Sequence, residues 1–415
     1  MGFFSTINSF YVFWGSLFLG AAAGLIGVFA VLRKQGLLGD SLAHASLPGI
    51  ALAFLIMKSK FLPGLLLGAL IFCLLGAYLI NLLVGKTRIK MDTAMASILS
   101  VFFGGGILIL TYIQKLPLAS QSGLDSFLFG QAAALLKNDV ILIAVAFFVI
   151  LFTVFLFWKE LKIFTFDANY AFVLGFKRFF LETVFMTIFV LTILISLQAV
   201  GVVLTAALFV TPAVAALLWS DRFIYVVILS AVFGGFSGAF GAYLSANVAN
   251  MPTGPVIVLF LTSFFLISFL FAPKKGIIKK YFIYRKNSRK IQSENVLGRF
   301  YRDYERGIQN IKIDDYVAYG YKQGILRYLK RCGFLQVKNG EISFTDRGLK
   351  EAFRVIEKHR LWETYLVNKL HLKSDHVHRD AEDIEHILTD EVVAELKEIL
   401  QNPKTDPHGK SLKLN

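Results

Sequence analysis

Charge is scarce over most of this chain. Only 22 of the first 273 residues are Asp, Glu, Lys or Arg, and the 415-residue whole is 17% charged, against about 25% in an ordinary soluble domain. That deficit excludes a single water-soluble enzyme and a disordered chain. Cysteine is nearly absent: Cys73 and Cys332 stand alone, neither in a CxxC, which excludes a disulfide scaffold and a cysteine zinc site. Histidine occurs once in the first 358 residues, at His44. A nucleotide loop is missing as well. Gly85-Lys86-Thr87 ends like a P-loop, but Ile80 stands where its first glycine belongs. The sequence therefore predicts no nucleotide site, and any ATPase that drives this chain is a separate subunit.

What the first part does have is apolar sequence in long runs, at 56% hydrophobic with 41 Phe overall. A helix needs about 20 apolar residues to cross a bilayer. Nine stretches qualify: 9–32, 40–57, 61–84, 92–113, 139–158, 178–198, 199–218, 223–245 and 254–272. The sixth and seventh form one run, split at Gln198 to Gly201. The stretch 124–136 is too short to span and reads as re-entrant or interfacial. Met1 to Val31 has no basic n-region or cleavage site, so it reads as a retained first span. With the N-terminus outside, the inner loops hold ten basic residues and the outer loops four. This bias predicts a cytoplasmic C-terminus. Residues 274–290 add eight Lys/Arg and no acid, either as a positive-inside anchor or as a contact for lipid or nucleic acid.

Ionisable residues inside spans are costly and face cavities or partners. The sharpest pair is Asp40 and His44 in GDSLAHASLPGIALAF (39–54), placed i and i+4 on one helix face. A carboxylate with an imidazole suits Mn²⁺, Zn²⁺ or Fe²⁺. The other reading is a helix cap at Asp40 with His44 as an ordinary polar contact. Pro212, and Pro252 with Gly254 in MPTGP (251–255), are breaks near membrane depth or simple kinks and turns. Glu182 reads as a local ion pair with Arg178.

GDSLAHASLPGIALAF resembles the signature of the manganese/zinc/iron class of ABC transporter permeases. Further similar segments follow in order: Asp92 with SILSVFFGGGILIL, LFGQ (128–131), FDANYAFVLGF (166–176), VGVVLTAALFVTPAVAALL (200–218) and MPTGPVIVL (251–259). The resemblance spans about 10–272. It implies an importer of divalent transition metal in a bacterial plasma membrane. It also implies a homodimer of permeases in membrane lipid, cytoplasmic ATPase subunits and an extracytoplasmic metal-binding protein. By the same resemblance Asp40 and His44 are pathway ligands. Asp167, Ala171 and Gly175, in a loop expected to be cytoplasmic, are ATPase-contact candidates, with the 33–38 loop as an alternative.

The remaining 142 residues carry 29 basic and 20 acidic side chains, a net +9, and read as soluble. Three helical segments, the first opening at Ser293-Glu294, precede FLQVKNGEISFTDRG (334–348), which alternates around Asn339-Gly340, a two-residue hairpin signal. Three helices and a two-stranded wing make a winged helix. Its third helix would enter a DNA groove, with Lys322, Gln323, Arg327, Lys330 and Arg331 as contact candidates; a fold used only for protein contact is the other reading. Six of the seven histidines fall between 359 and 408. His359 with Glu363, His378 with Glu382, and Glu382, Glu385 and His386 each share a helix face, a donor set for one or two ions.

HRLWETYLV (359–367) and VHRDAEDIEHILTDEV (377–392) are similar to the metal-binding and dimerisation helices of the diphtheria toxin repressor family. That resemblance, over about 294–400, assigns His359, Glu363 and His378 to one regulatory metal site and Glu382, Glu385 and His386 to another. It places Asn295, a weak ligand, where the family takes a further one.

The expected fold is an all-α polytopic bundle of about nine transmembrane helices, then a cytoplasmic winged-helix domain and an all-α metal-binding domain. The expected boundaries are 1–273 for the permease, 274–290 for a basic linker, 291–350 for the winged helix, 351–402 for the metal-binding and dimerisation helices, and 403–415 for a flexible tail. A membrane-tethered regulator with the bundle as mere anchor is a competing reading, though nine spans with an Asp/His motif exceed an anchor's needs. A proton-driven transporter is another, and it would need more buried carboxylates than Asp40 and Glu182.

Overall fold

The computed structural model describes residues 7–59, 61–116, 130, 135–248, 251–318, 320–372, 384, 386 and 388–413. The chain divides into one unit through Lys279 and a second from Lys280.

In the first unit, apolar runs become helices because lipid offers backbone amides no partner outside the segment itself. They are α1 (Ile7–Leu32), α2 (Leu38–Met57), α3 (Leu62–Lys86), α4 (Met91–Gln114), α5 (Lys137–Leu156), the short α6 (Trp158–Phe166) and α7 (Ala168–Val173), then α8 (Arg178–Ala199), α9 (Val202–Trp219), α10 (Phe223–Asn247) and α11 (Thr253–Phe271). Among the described residues, nine of them are long and apolar enough to cross a membrane, and these are the nine stretches legible in hydropathy. The run split at Gln198 to Gly201 breaks at Gly201, whose φ of +83° suits glycine. Of the stretch 124–136, only Gly130, Leu135 and Leu136 are described. Gly130 has φ +74° and lies against the Val200 backbone.

Glycine and serine let the central helices approach closely. A Cβ on Gly20 of α1 would overlap the Gly234 carbonyl of α10, and one on Gly24 would overlap that of Ser230. The Ser230 hydroxyl donates to Gly24 O at 2.6 Å. Pro212 lies inside α9 and Pro48 inside α2, neither ending its helix. Pro252 is instead the N-cap of α11, and the Ser245 hydroxyl donates to Met251 O at 2.6 Å to fix that turn. Between α9 and α10, Asp221 pairs with Lys274 at 2.9 Å and Lys275 at 2.8 Å. These two ammonium groups hold its carboxyl down at about 2.

The second unit's first long helix, α12 (Ile277–Glu305), starts well before Ser293-Glu294. The basic stretch expected as a linker is therefore helical from Ile277. Next come β1 (Ile311–Lys312), α13 (Ile313–Ala318), α14 (Gln323–Arg331), β2 (Leu335–Lys338), β3 (Glu341–Phe344), α15 (Asp346–Leu370) and α16 (Asp390–Ile399). The strands form an antiparallel sheet in the order β1-β3-β2, so the expected two-stranded hairpin gains a third strand by pairing Ile311 with Ile342. Asn339 and Gly340 both take positive φ, +52° and +79°, as a type I′ turn requires. Tyr316, Phe300, Leu329, Ile342 and Ile356 form one core under the sheet. Leu361, Val393, Leu396 and Leu412 form another beside α15 and α16.

Residues 404–412 correct the expectation of a flexible tail. Thr405 bridges to Ser411, and Leu412 is buried. Arg360 donates to Ser411 O at 2.7 Å and to both Glu305 carboxylate oxygens at 2.8 and 2.6 Å. Apolar burial and a buried cation thus anchor a segment whose composition alone looks solvated.

Candidate functional site

α2 begins at Leu38 with Leu37 as its N-cap, and no side chain caps it. Asp40 therefore sits within the first turn, and the capping reading does not describe it. One turn on, His44 Nε2 lies 3.3 Å from Asp40 Oδ1. The imidazole packs edge-on to the Phe103 ring of α4, centroids 4.7 Å apart. His44 Nδ1 is buried with no hydrogen-bond partner among the described residues, an arrangement that costs energy unless a ligand or water meets it. Neighbouring bonds fix the backbone of this turn. The Ser41 hydroxyl donates to Met95 O at 3.0 Å, and the Cys73 thiol to Leu42 O at 3.2 Å. Asp92 stands in the first turn of α4. The pair is thus an oxygen and a nitrogen donor on one helix face, held by α3 and α4.

The loop carrying the ATPase-contact candidates is helical. Asp167 caps α7, its Oδ1 accepting from Asn169 N and Tyr170 N at 2.9 Å each. Ala171 is buried against Phe164 and Leu181, so it packs inward rather than presenting a contact. Gly175 has φ +91° and open space around it. The apolar side chains left outside are Phe166, Tyr170, Phe172, Val173, Leu174, Phe179 and Phe180.

In the second unit, His359 Nε2 lies 3.2 Å from Glu363 Oε1, both side chains almost wholly buried in α15. His386 Nδ1 lies 2.7 Å from Glu294 Oε2. Glu294, which the sequence reading did not single out as a ligand, is the neighbour of Asn295, where the resemblance places one. The core face of α12, formed by Ser293, Val296, Leu297 and Phe300, turns Glu294 inward and leaves Asn295 exposed. His378, Glu382 and Glu385 fall outside the described residues. Among the described residues no three potential ligands converge. Lys322, Gln323, Arg327, Lys330 and Arg331 are all exposed on or beside α14, while Ile325 and Leu329 are buried on its other side.

Residues 7–272 match the ABC 3 transport family, and residues 345–412 match the iron-dependent repressor metal-binding and dimerisation domain. The manganese transport system membrane protein MntC of Bacillus subtilis is 39% identical over 372 residues, covering 88% of this chain and 85% of that protein. The zinc transport system membrane protein TroC of Treponema pallidum is 44% identical over 278 residues, 67% of this chain and 93% of its own. Among solved structures, PsaBC from Streptococcus pneumoniae in complex with Fab aligns with a TM-score of 0.58 at 31% identity, covering 67% of this chain and 96% of that one.

Proposed function

The chain belongs to the ABC 3 transport family as a permease subunit with a repressor-type domain at its C-terminus, and on that premise we propose that it imports Mn²⁺ or Zn²⁺ on ATP hydrolysis by a partner. The observation that carries the reading is the Asp40–His44 pair at 3.3 Å with the buried His44 Nδ1 unpartnered among the described residues. One carboxylate and one imidazole bind a hydrated divalent ion loosely, which suits a step that must also let go. A homodimer would double the donor set, and an extracytoplasmic protein would deliver the ion. The ATPase docks on α7 and its flanks, where Phe172 and Val173 offer exposed apolar surface, with Asp167 holding the helix start and Gly175 its end. The ten-to-four basic bias supports an external N-terminus and a cytoplasmic second unit in a bacterial plasma membrane.

The second unit acts as a metal-responsive winged helix. His359, Glu363 and His378 hold one ion, and Glu382, Glu385 and His386 the other, with Glu294 in place of Asn295 as the ligand from α12. The exposed basic side of α14 favours DNA as its target over a protein contact.

The test is Mn²⁺ and Zn²⁺ uptake by cells expressing the chain with its ATPase and extracytoplasmic metal-binding protein, with Asp40→Ala and His44→Ala compared with the wild type at equal membrane abundance. Uptake should fall to background in both variants while the ATPase still co-purifies. Wild-type uptake by either correctly inserted variant rejects the pathway assignment.

A further inference from the structure

α1 ends at Leu32, and the next residue, Arg33, lies between two rings. Its guanidinium carbon is 4.2 Å from the centroid of Phe164 in α6 and 4.7 Å from that of Phe185 in α8. Both rings are almost wholly buried. A planar cation held on aromatic faces and largely away from water is attracted by both, so Arg33 ties the end of α1 to two other helices at once.

The contact continues in both directions. On one side Phe164 packs with Ala171 of α7. On the other, Phe185 meets Phe189 one turn along α8, centroids 5.6 Å apart. Phe189 stacks on Phe209 of α9 at 4.8 Å and 28°. Both of these rings then reach the backbone just before Asp40. A Cβ built on Gly39 would lie 3.4 Å from Phe209 Cδ2 and 3.7 Å from Phe189 Cζ. Rings in contact with no intervening void cannot shift singly in a close-packed interior.

We propose that Arg33 and the rings Phe164, Phe185, Phe189 and Phe209 form the mechanical link that carries movement of α7 to the Asp40–His44 turn. The inference rests on the permease reading and adds positioning residues to it. A displacement of α7 by a bound ATPase moves Phe164, and Arg33 transfers that movement to α8. The stacked pair then shifts the first turn of α2 and with it the carboxylate of Asp40. Packed elements with two discrete arrangements transmit such shifts.

The experiment measures Mn²⁺ taken up per ATP hydrolysed by the permease–ATPase complex in proteoliposomes. Arg33→Gln keeps length and polarity but loses the cation. Phe189→Leu removes the stacked ring. Each should leave ATP hydrolysis within about twofold of wild type and lower uptake per ATP roughly tenfold, the ratio that corresponds to about 1.4 kcal/mol. The double variant should lose no more than the weaker of the two, as expected when both act in one chain. Phe236→Leu, an exposed ring of α10, should change nothing. Arg33→Lys, whose compact ammonium stacks poorly between rings, should show the same drop and is the measurement that decides if Arg33→Gln does not assemble. Unchanged uptake per ATP in Arg33→Lys and Phe189→Leu, or losses that multiply in the double variant, overturn the link. A wild-type complex that, supplied with its extracytoplasmic metal-binding protein, takes up neither Mn²⁺ nor Zn²⁺ with ATP rejects the import reading instead.

Discussion

At the scale of single residues, isolated charges near the membrane surface are held by named partners. Asp221 is the clearest: Lys275 and Lys274 hold its carboxyl at about 2, below the ordinary 3.8. A carboxyl depressed on folding contributes stability above its ordinary value, and that contribution disappears as pH falls through about 2. Carboxyl titration by NMR of the detergent-solubilised chain should give a midpoint near that value. Replacing both lysines by alanine should return it to about 3.9. A wild-type midpoint already at the ordinary value would mean the lysines do not bind it. The Asp40–His44 pair was legible in the sequence because i, i+4 spacing is a property of any helix. Glu294 with His386 was not. They lie 92 residues apart, and only the packing of α12 decides that Glu294 rather than its neighbour faces inward. Arg33 was legible only as a topological charge, since its ring partners come from helices remote in sequence.

Elements in this chain are specified by different signals. The nine spans follow from hydropathy and length, and the β2–β3 hairpin from Asn339-Gly340. The third strand and the early start of α12 lack such signals: β1 has two residues, and the basic stretch before Ser293 reads equally well as a linker. The crossing of α1 and α10 shows where glycine is required and where it is incidental. A Cβ on Gly234 would overlap the Gly20 carbonyl, whereas one on Gly104 would meet nothing within 4 Å. Gly234→Ala forces two backbones apart and should cost about 1–3 kcal/mol, seen as a thermal midpoint several degrees lower in detergent. Gly104→Ala should be neutral or stabilise by up to about 1 kcal/mol through helix propensity. Equal midpoints for the two variants would show that the crossing is looser than the structure has it.

For the whole molecule, the question is what a repressor-type domain gains from attachment to a permease. Attachment ties the domain, and any DNA it binds, to a membrane-spanning chain. The reading that α14 contacts DNA predicts that the full-length chain in nanodiscs, loaded with Mn²⁺, retains duplex DNA. That binding should weaken steeply with salt, log K falling with log salt at about 0.9 per phosphate neutralised. Lys330 is exposed on α14, so Lys330→Ala should weaken binding on every sequence and reduce that slope by about 1. Glu294→Ala and His386→Ala should remove the metal dependence while leaving the basic face, and so the salt slope, intact. The two effects separate because the charge of α14 and the Glu294–His386 contact at 2.7 Å lie on different elements. Retention of DNA that ignores both metal and Lys330 would assign the domain to protein contact instead. Uptake by the same Glu294→Ala protein, measured as Mn²⁺ rises on the side of the second unit, would then read whether that contact restrains the pore.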